Sequence, residues 1–166
     1  SDQRNLPNSN QMDLMYLDAY PGIFFDGIHR TNLVLSTTAH EFQHLIHYNY
    51  DQSEELWVNE GLSQLAGTYC GYGLDFPGLY MEDPTQSLLQ WSGEVRDYSK
   101  VNLWTLYCAE QLGLDFIKNL TQNPNRGITG FNNAMAQTGI PGDLSMVYPS
   151  WALANIINDI SVDTRH

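Results

Sequence analysis

The feature that most constrains this chain is the pentapeptide HEFQH at residues 40–44, which is followed sixteen residues later by Glu60. Positions i and i+4 share one face of a helix, so His40 and His44 reach one metal ion together if the segment is helical. A catalytic zinc ion usually has three protein ligands and one open position. Glu60 is the predicted third ligand, because it lies in an apolar stretch where a partly buried carboxylate would need a partner.

Glu41 follows the first histidine and supplies the remaining element of a hydrolytic site. A carboxylate beside a metal-bound water can take its proton and act as a general base. The alternative is a surface helix with two unrelated histidines, and for Glu60 alone a solvated helix side chain. The combined spacing favours a zinc site for hydrolysis, in which Glu41 activates the water.

His47 shares the helix face of the two histidines and competes with Glu60 for the third ligand position. At 1.5 Å of rise per residue, however, His47 lies about 10 Å along the helix axis from His40, which is too far for one ion. We therefore predict a structural or cleft-wall role for His47.

The charge and hydropathy of the chain exclude several classes of partner. The net charge is −12, and only two of the 166 residues are lysine. This balance argues against nucleic-acid binding, which requires a basic surface, and against docking on anionic lipid. No apolar run approaches the length needed to cross a bilayer, so we expect no membrane insertion. Acidic loops can bind calcium, but no D-x-D-x-D-G loop indicates a calcium site here.

Hydrophobic periodicity and turn signals predict an α+β fold that is predominantly helical, with one domain over residues 1–166. Residues 1–11 are polar, and we expect an irregular arm there. Strands are expected at 12–18 and 23–25, and a long surface loop at 70–93. Helices are expected at 36–48, 54–69, 99–112, 115–121, 129–137 and 145–160.

The first two predicted helices carry the metal motif. Ser36 and Ser53 are their expected N-caps, and about five residues separate the two helices. Such a short connection makes them antiparallel neighbours, which brings Glu60 to the height of His44.

The two cysteines, Cys70 and Cys108, lack the C-x-x-C spacing of metal ligands. Each lies in an apolar stretch, so two buried free thiols are expected. A single disulfide between them is the alternative for an exported protein.

At the metal motif the chain resembles the gluzincin metallopeptidases, which combine HExxH with a glutamate as third ligand. Residues 56–62, LWVNEGL, are similar to the Trp-Leu-Asn-Glu-Gly segment of aminopeptidase-N-like enzymes and of hyicolysin-type secreted peptidases. Tyr98 and Lys100 resemble the Tyr-x-Lys segment whose tyrosine, in the aminopeptidase-N-like family, steadies the oxyanion of the tetrahedral intermediate. The resemblance implies a zincin-like core, one catalytic zinc ion, Tyr98 as oxyanion donor, Asn59 as a substrate contact, and a secreted, bacterial protein.

Three departures from these families refine the expectation. No Gly-x-Met-Glu-Asn segment, which such aminopeptidases use to hold a free amine, precedes the motif, and this favours internal cleavage. Gln64 stands where thermolysin-like enzymes carry an aspartate that orients a zinc histidine, so this support must come from elsewhere. Only 35 residues precede Ser36, too few for the usual sheet. Residues 12–18 are the expected edge strand along which a substrate pairs.

Together these observations predict a zinc-dependent endopeptidase that hydrolyses peptide bonds through a zinc-bound water activated by Glu41. Its partners are peptide or protein substrates. Two alternatives are a non-catalytic zinc-binding scaffold with a zincin-like fold and a zinc exopeptidase. Tyr48, Tyr50 and Tyr72 are rivals of Tyr98 for the oxyanion role.

Overall fold

Helices dominate the fold, as the periodicity predicts. The computed structural model describes residues 15–18, 20, 23–25, 28–72 and 77–157. Across these ranges no helix is long and apolar enough to cross a bilayer. The α-helices are α1 Thr31–Tyr48, α2 Leu56–Gly67, α3 Pro77–Met81, α4 Val95–Leu112, α5 Leu114–Thr121, α6 Gly127–Gln137 and α7 Leu144–Ile157.

The strands in the described ranges are two residues long. β1 Phe24–Phe25 pairs antiparallel with β2 Ile28–His29. The predicted strand at 12–18 is wrong for its described part, since residues 15–18 adopt no regular structure, and residues 12–14 lie outside the described ranges together with the predicted arm. The partial alternation misleads here, because a strand needs a sheet to cover its apolar face. Tyr16 and Leu17 are instead 91% and 52% exposed.

The first metal helix begins five residues earlier than predicted, at Thr31 rather than Ser36. Ser36 is not an N-cap but a buried residue of α1 that packs against α2. A Cβ atom on Gly67 would lie 3.0 Å from the Ser36 hydroxyl, so the two helices approach closely at this point. A small hydroxyl side chain is typical of both a cap and a tight helix contact, and the sequence alone does not separate the two.

The second metal helix begins at Leu56, and Ser53 is not its cap either. The amide and hydroxyl of Ser53 both donate to Asp51 Oδ1, which closes the turn between the helices. After Gly67 the chain continues through a π-helical turn at Thr68–Tyr72. Cys70 lies in this turn and is exposed, whereas Cys108 is buried, and both thiols are free. The expected burial of Cys70 is therefore wrong.

The remaining helices differ from the predicted bounds mainly at their starts. The predicted loop at 70–93 contains α3, while residues 73–76 lie outside the described ranges. α4 begins at Val95, four residues before the predicted start, which places Tyr98 in its first turn. α7 includes Pro149 and is described to Ile157, so the last three residues predicted for it are outside the described part.

Helix α2 lies between α1 and α4, and an aromatic core packs behind it. Trp104 of α4 stacks on Phe131 of α6 with ring centroids 5.6 Å apart, and meets Trp151 of α7 edge to face at 5.3 Å. These rings are almost completely buried, and large aromatic side chains dominate core energetics. The core therefore fixes α4, which in turn supports the helix that carries Glu60.

Gly61, the residue after Glu60, lies where α2 approaches α4 closely. A Cβ atom at Gly61 would overlap the Thr105 hydroxyl. We expect Gly61→Ala to lower the free energy of unfolding by about 1–3 kcal/mol, because overpacking forces neighbouring groups to shift. Urea denaturation of the metal-free protein measures the change. Gly78→Ala is the matched control, since among the described residues no atom beyond its chain neighbours and its own helix backbone lies within 4 Å of a Cβ atom at that helical glycine. Equal stability of the two variants would contradict this account of the helix contact.

Candidate metal centre

The two helices bring three ligand atoms together. His40 Nε2 lies 3.0 Å from His44 Nε2, and Glu60 Oε2 lies 3.2 Å and 3.4 Å from these two atoms. Their side chains are only 15%, 23% and 14% exposed. Within the described part of the chain, this is the one group of three or more histidine, cysteine or acidic side chains that is tight enough to hold a metal ion.

The donor atoms fit a zinc ion in size, charge and hydrogen bonding. Ligands about 2.0–2.1 Å from a tetrahedral zinc ion stand roughly 3.4 Å apart, close to the spacing of these atoms. Burial alone would raise the pKa of Glu60, but the imidazoles of His40 and His44 outweigh it and hold that pKa at about 2. Glu60 is thus a carboxylate at neutral pH, and its buried Oε2 faces the ring nitrogens of His40 and His44. A bound cation in place of the ring protons would satisfy the carboxylate and both nitrogens.

His44 is held in the tautomer that a metal ligand requires. Its Nδ1 lies 3.1 Å from Asn59 Oδ1 and 2.9 Å from the Ser63 hydroxyl. A carboxamide oxygen only accepts hydrogen bonds, so Nδ1 carries the proton and donates it. When His44 is neutral, the lone pair is on Nε2, the ring atom that lies 3.4 Å from Glu60 Oε2. Asn59 and Ser63 thus orient the His44 ring, a role that an aspartate at the position of Gln64 has in thermolysin-like enzymes.

The amide oxygen of Asn59 also contacts His47. His47 is completely buried, and its Nδ1 lies 3.1 Å from the same Asn59 Oδ1. Burial lowers the pKa of His47 and keeps its imidazole neutral. His47 is not one of the clustered residues, in line with its predicted structural role. The predicted contact between Asn59 and a substrate stays a prediction.

Removing the support of His44 is expected to weaken zinc binding. Loss of a group that orients a metal ligand typically reduces metal affinity about 10- to 100-fold. We expect this loss for Asn59→Ala and a smaller one for Ser63→Ala, because the hydroxyl is the second of two partners. Competition with a chromophoric zinc chelator measures the affinity. Asn119→Ala on α5 is the matched control, and a control affinity equal to that of Asn59→Ala would refute the assignment.

Among the described aromatic contacts, Tyr98 is the tyrosine whose ring lies next to a histidine of the cluster. Its ring centroid lies 6.3 Å from that of His40, and 5.0 Å from that of Trp91 in a T-shaped arrangement. Burial, followed by the negative charges of Glu60 and Glu41, raises the pKa of Tyr98. The phenol is therefore protonated at neutral pH and available as a hydrogen-bond donor. Of the rivals, Tyr50 accepts a hydrogen bond from Gln122 instead.

Glu41 lies on the solvent side of α1 and is exposed. It lines a cavity of about 350 Å³ together with Leu45 and two threonines of α1. Residues 15–17 form the rest of that wall. The carboxylate next to His40 thus faces an open space that a substrate can enter.

Sequence reasoning identified the three clustered residues but missed Ser63 and Trp91. Ser63 lies three residues after Glu60 and four after Asn59, so helical spacing places it on the ligand face. No comparable signal marks Trp91, because its contact with Tyr98 depends on the path of a loop.

Comparison with known proteins points to the same chemistry. No protein-family model matches this sequence. A curated relative, the neutral metalloprotease ShpI of Staphylococcus hyicus, is 28% identical to the chain in an alignment of 156 residues. The match covers 81% of this chain and 35% of ShpI, so the chain spans about a third of that relative's length. The chain is thus similar to a metalloprotease, and it has a cluster of two histidines and a glutamate that is tight enough to hold a metal ion.

Proposed function

We propose that this chain is a zinc-dependent endopeptidase that hydrolyses internal bonds of peptides or unfolded proteins. The observation that carries the proposal is the convergence of His40 Nε2, His44 Nε2 and Glu60 Oε2 within 3.4 Å of one another. The ionised carboxylate of Glu60 beside the two imidazoles and the similarity to a neutral metalloprotease add to it. Helices α1 and α2 would then be the ligand-bearing pair of a zincin-like core.

In this mechanism three residues bind the metal ion, and two neighbouring side chains act on the water and on the substrate. His40, His44 and Glu60 would hold a zinc ion, and that ion would supply Lewis-acid polarisation of a peptide carbonyl and of a water molecule. Glu41 takes the proton of the attacking water and later delivers it to the leaving amine. Tyr98 donates a hydrogen bond to the carbonyl oxygen as negative charge develops there, a contribution of about 3 kcal/mol for one such donor.

The surroundings of Glu41 support a polypeptide substrate. The cavity beside its carboxylate is open and has room for a large side chain. The net charge of −12 favours neutral or basic peptides over acidic ones at short range. An extracellular site of action is part of this proposal, because residues 56–62 resemble a segment of secreted peptidases.

One observation favours a non-catalytic scaffold as the second candidate. Within the described ranges, the strands amount to a single hairpin of two-residue strands, so no long strand edge is available to pair with an extended substrate. A scaffold would bind zinc at the same three residues but cleave nothing.

Cleavage of unfolded casein separates these candidates. We expect the zinc-loaded protein to produce internal fragments, a chelator to abolish the activity, and added zinc to restore it. Mass spectrometry of the products identifies the cleaved bonds. Zinc binding without cleavage would support the scaffold, and release of single residues from a chain end would indicate an exopeptidase.

A further inference from the structure

A buried ion pair lies directly beside Tyr98. Lys100 is fully buried, and its ammonium donates to Asp97 Oδ1 at 2.9 Å. The other oxygen of Asp97 accepts from the amide and hydroxyl of Ser92, both at 2.7 Å, and from the amide of Gly93 at 3.0 Å. Asp97 and Lys100 flank Tyr98 in the first turns of α4, so the network and the phenol share one short stretch of helix.

The same network fixes the backbone on both sides of Trp91. Lys100 Nζ donates to the carbonyl of Gln90 at 2.6 Å and to that of Ser87 at 3.0 Å. Trp91 therefore lies between one residue bonded to Lys100 and one bonded to Asp97. Charge-assisted hydrogen bonds of this kind are short and strong, so they define the loop backbone at this position.

Trp91 in turn packs against Tyr98. The indole meets the phenol ring edge to face at 5.0 Å, and the phenol lies against the imidazole of His40. The contacts thus run from the ion pair through Trp91 and Tyr98 to a proposed zinc ligand. A buried ion pair generally adds little net stability compared with apolar side chains of similar volume. Asp97 and Lys100 also fix the loop backbone through hydrogen bonds, which an apolar pair could not make.

We propose that Asp97 and Lys100 are positioning residues, which hold Trp91 against Tyr98 and thereby aim the phenol at the reacting carbonyl. The inference rests on the proposed endopeptidase function and on Tyr98 as its oxyanion donor. Misplacement of a reacting group by about 1 Å can reduce the rate about 100-fold. The expected signature is therefore a lower kcat with little change in KM or zinc affinity.

The test compares two variants that disturb the same contact from opposite ends. Trp91→Leu removes the ring but keeps an apolar side chain. The double variant Asp97→Asn with Lys100→Met removes both charges together, because either change alone leaves an unpaired buried charge and is at risk of unfolding. Lys118→Met is the matched control, since Lys118 on α5 is exposed and is the other lysine of the chain.

We expect Trp91→Leu and the double variant each to lower kcat about 10- to 100-fold, and Lys118→Met to leave it unchanged. In a Tyr98→Phe background the further loss should disappear, because the hydroxyl to be aimed is gone. Equal losses in both backgrounds would reveal a merely structural role and overturn the inference.

A second measurement does not depend on activity. We expect the ring current of Trp91 to shift the NMR signals of the Tyr98 ring, because the two ring centroids are 5.0 Å apart. In tyrosine-labelled protein, the signals that are missing from the Tyr98→Phe variant belong to Tyr98. We expect this shift to disappear in Trp91→Leu and in the double variant, and to persist in Lys118→Met. Persistence in the double variant would show that the ion pair does not hold the contact, and would overturn the inference even in an active enzyme. An inactive zinc-loaded wild type would instead overturn the proposed function, and this inference with it.

Discussion

Replacement of Glu41 by glutamine is expected to lower kcat for peptide hydrolysis by about 10²- to 10⁴-fold, the usual contribution of a positioned general base. Glutamine keeps the size of the side chain but has no basic carboxylate. Glu41 is not one of the three clustered residues. Zinc affinity should therefore stay within a few-fold of the wild-type value.

The comparison is informative only at matched zinc content. Zinc is quantified in each sample before casein cleavage is measured. Glu110→Gln, the same substitution at an exposed position of α4, controls for the change in net charge. If Glu41→Gln retained wild-type kcat with full zinc occupancy, another group would have to act as the base. A variant that lost zinc would instead show that Glu41 supports the ligands.

The residues predicted to hold the metal could be chosen from sequence because the relevant geometry is local. Helical periodicity alone places His40 and His44 on one face. The short connection to α2 then limits where Glu60 can lie relative to them. Such restraints act over a few residues, so the errors of several residues in the predicted starts of α1 and α4 do not disturb the cluster.

The supporting contacts escaped prediction because they join distant parts of the chain. Serine is a favoured N-cap residue, so the sequence predicts a cap at Ser36. Its burial against Gly67 instead follows from how α1 packs on α2. Glu54 accepts a hydrogen bond from the amide of Gly127 at 2.7 Å, across 73 positions, and so ties the start of α6 to the metal helices. Pairings of this kind depend on tertiary packing, which overrides local propensity.

Buried charge was the least predictable feature. Lys100 looks like a surface residue in a chain that has only two lysines, yet it is fully buried. The residues around Lys100 give no signal that the carbonyls of Ser87 and Gln90 accept its hydrogen bonds. The resemblance indicates the neighbouring Tyr98, but the contact of its ring with Trp91 depends on the path of the loop.

Replacement of Glu60 by glutamine is expected to weaken zinc binding by more than about 100-fold, since loss of a merely supporting residue already costs 10- to 100-fold. The variant removes the negative charge that compensates the ion and leaves two neutral imidazoles as the strong ligands. The thermal stabilisation that zinc gives to the wild type, which grows with the ratio of free zinc to Kd, should shrink accordingly. Glu110→Gln again serves as control, and an unchanged zinc affinity of Glu60→Gln would remove Glu60 from the ligand set.

The metal-free protein provides an independent check on Glu60. Its pKa is held at about 2 in the folded state, below an ordinary value of 4.5. The unfolded chain therefore binds a proton first as the pH falls, so the stabilisation from Glu60 is present above about pH 4.5 and is lost toward pH 2. Urea denaturation at a series of pH values should show this loss in the wild type and a weaker pH dependence in Glu60→Gln. Identical pH dependence of the two proteins would mean that the histidines do not stabilise the carboxylate, and the geometry of the centre would have to be revised.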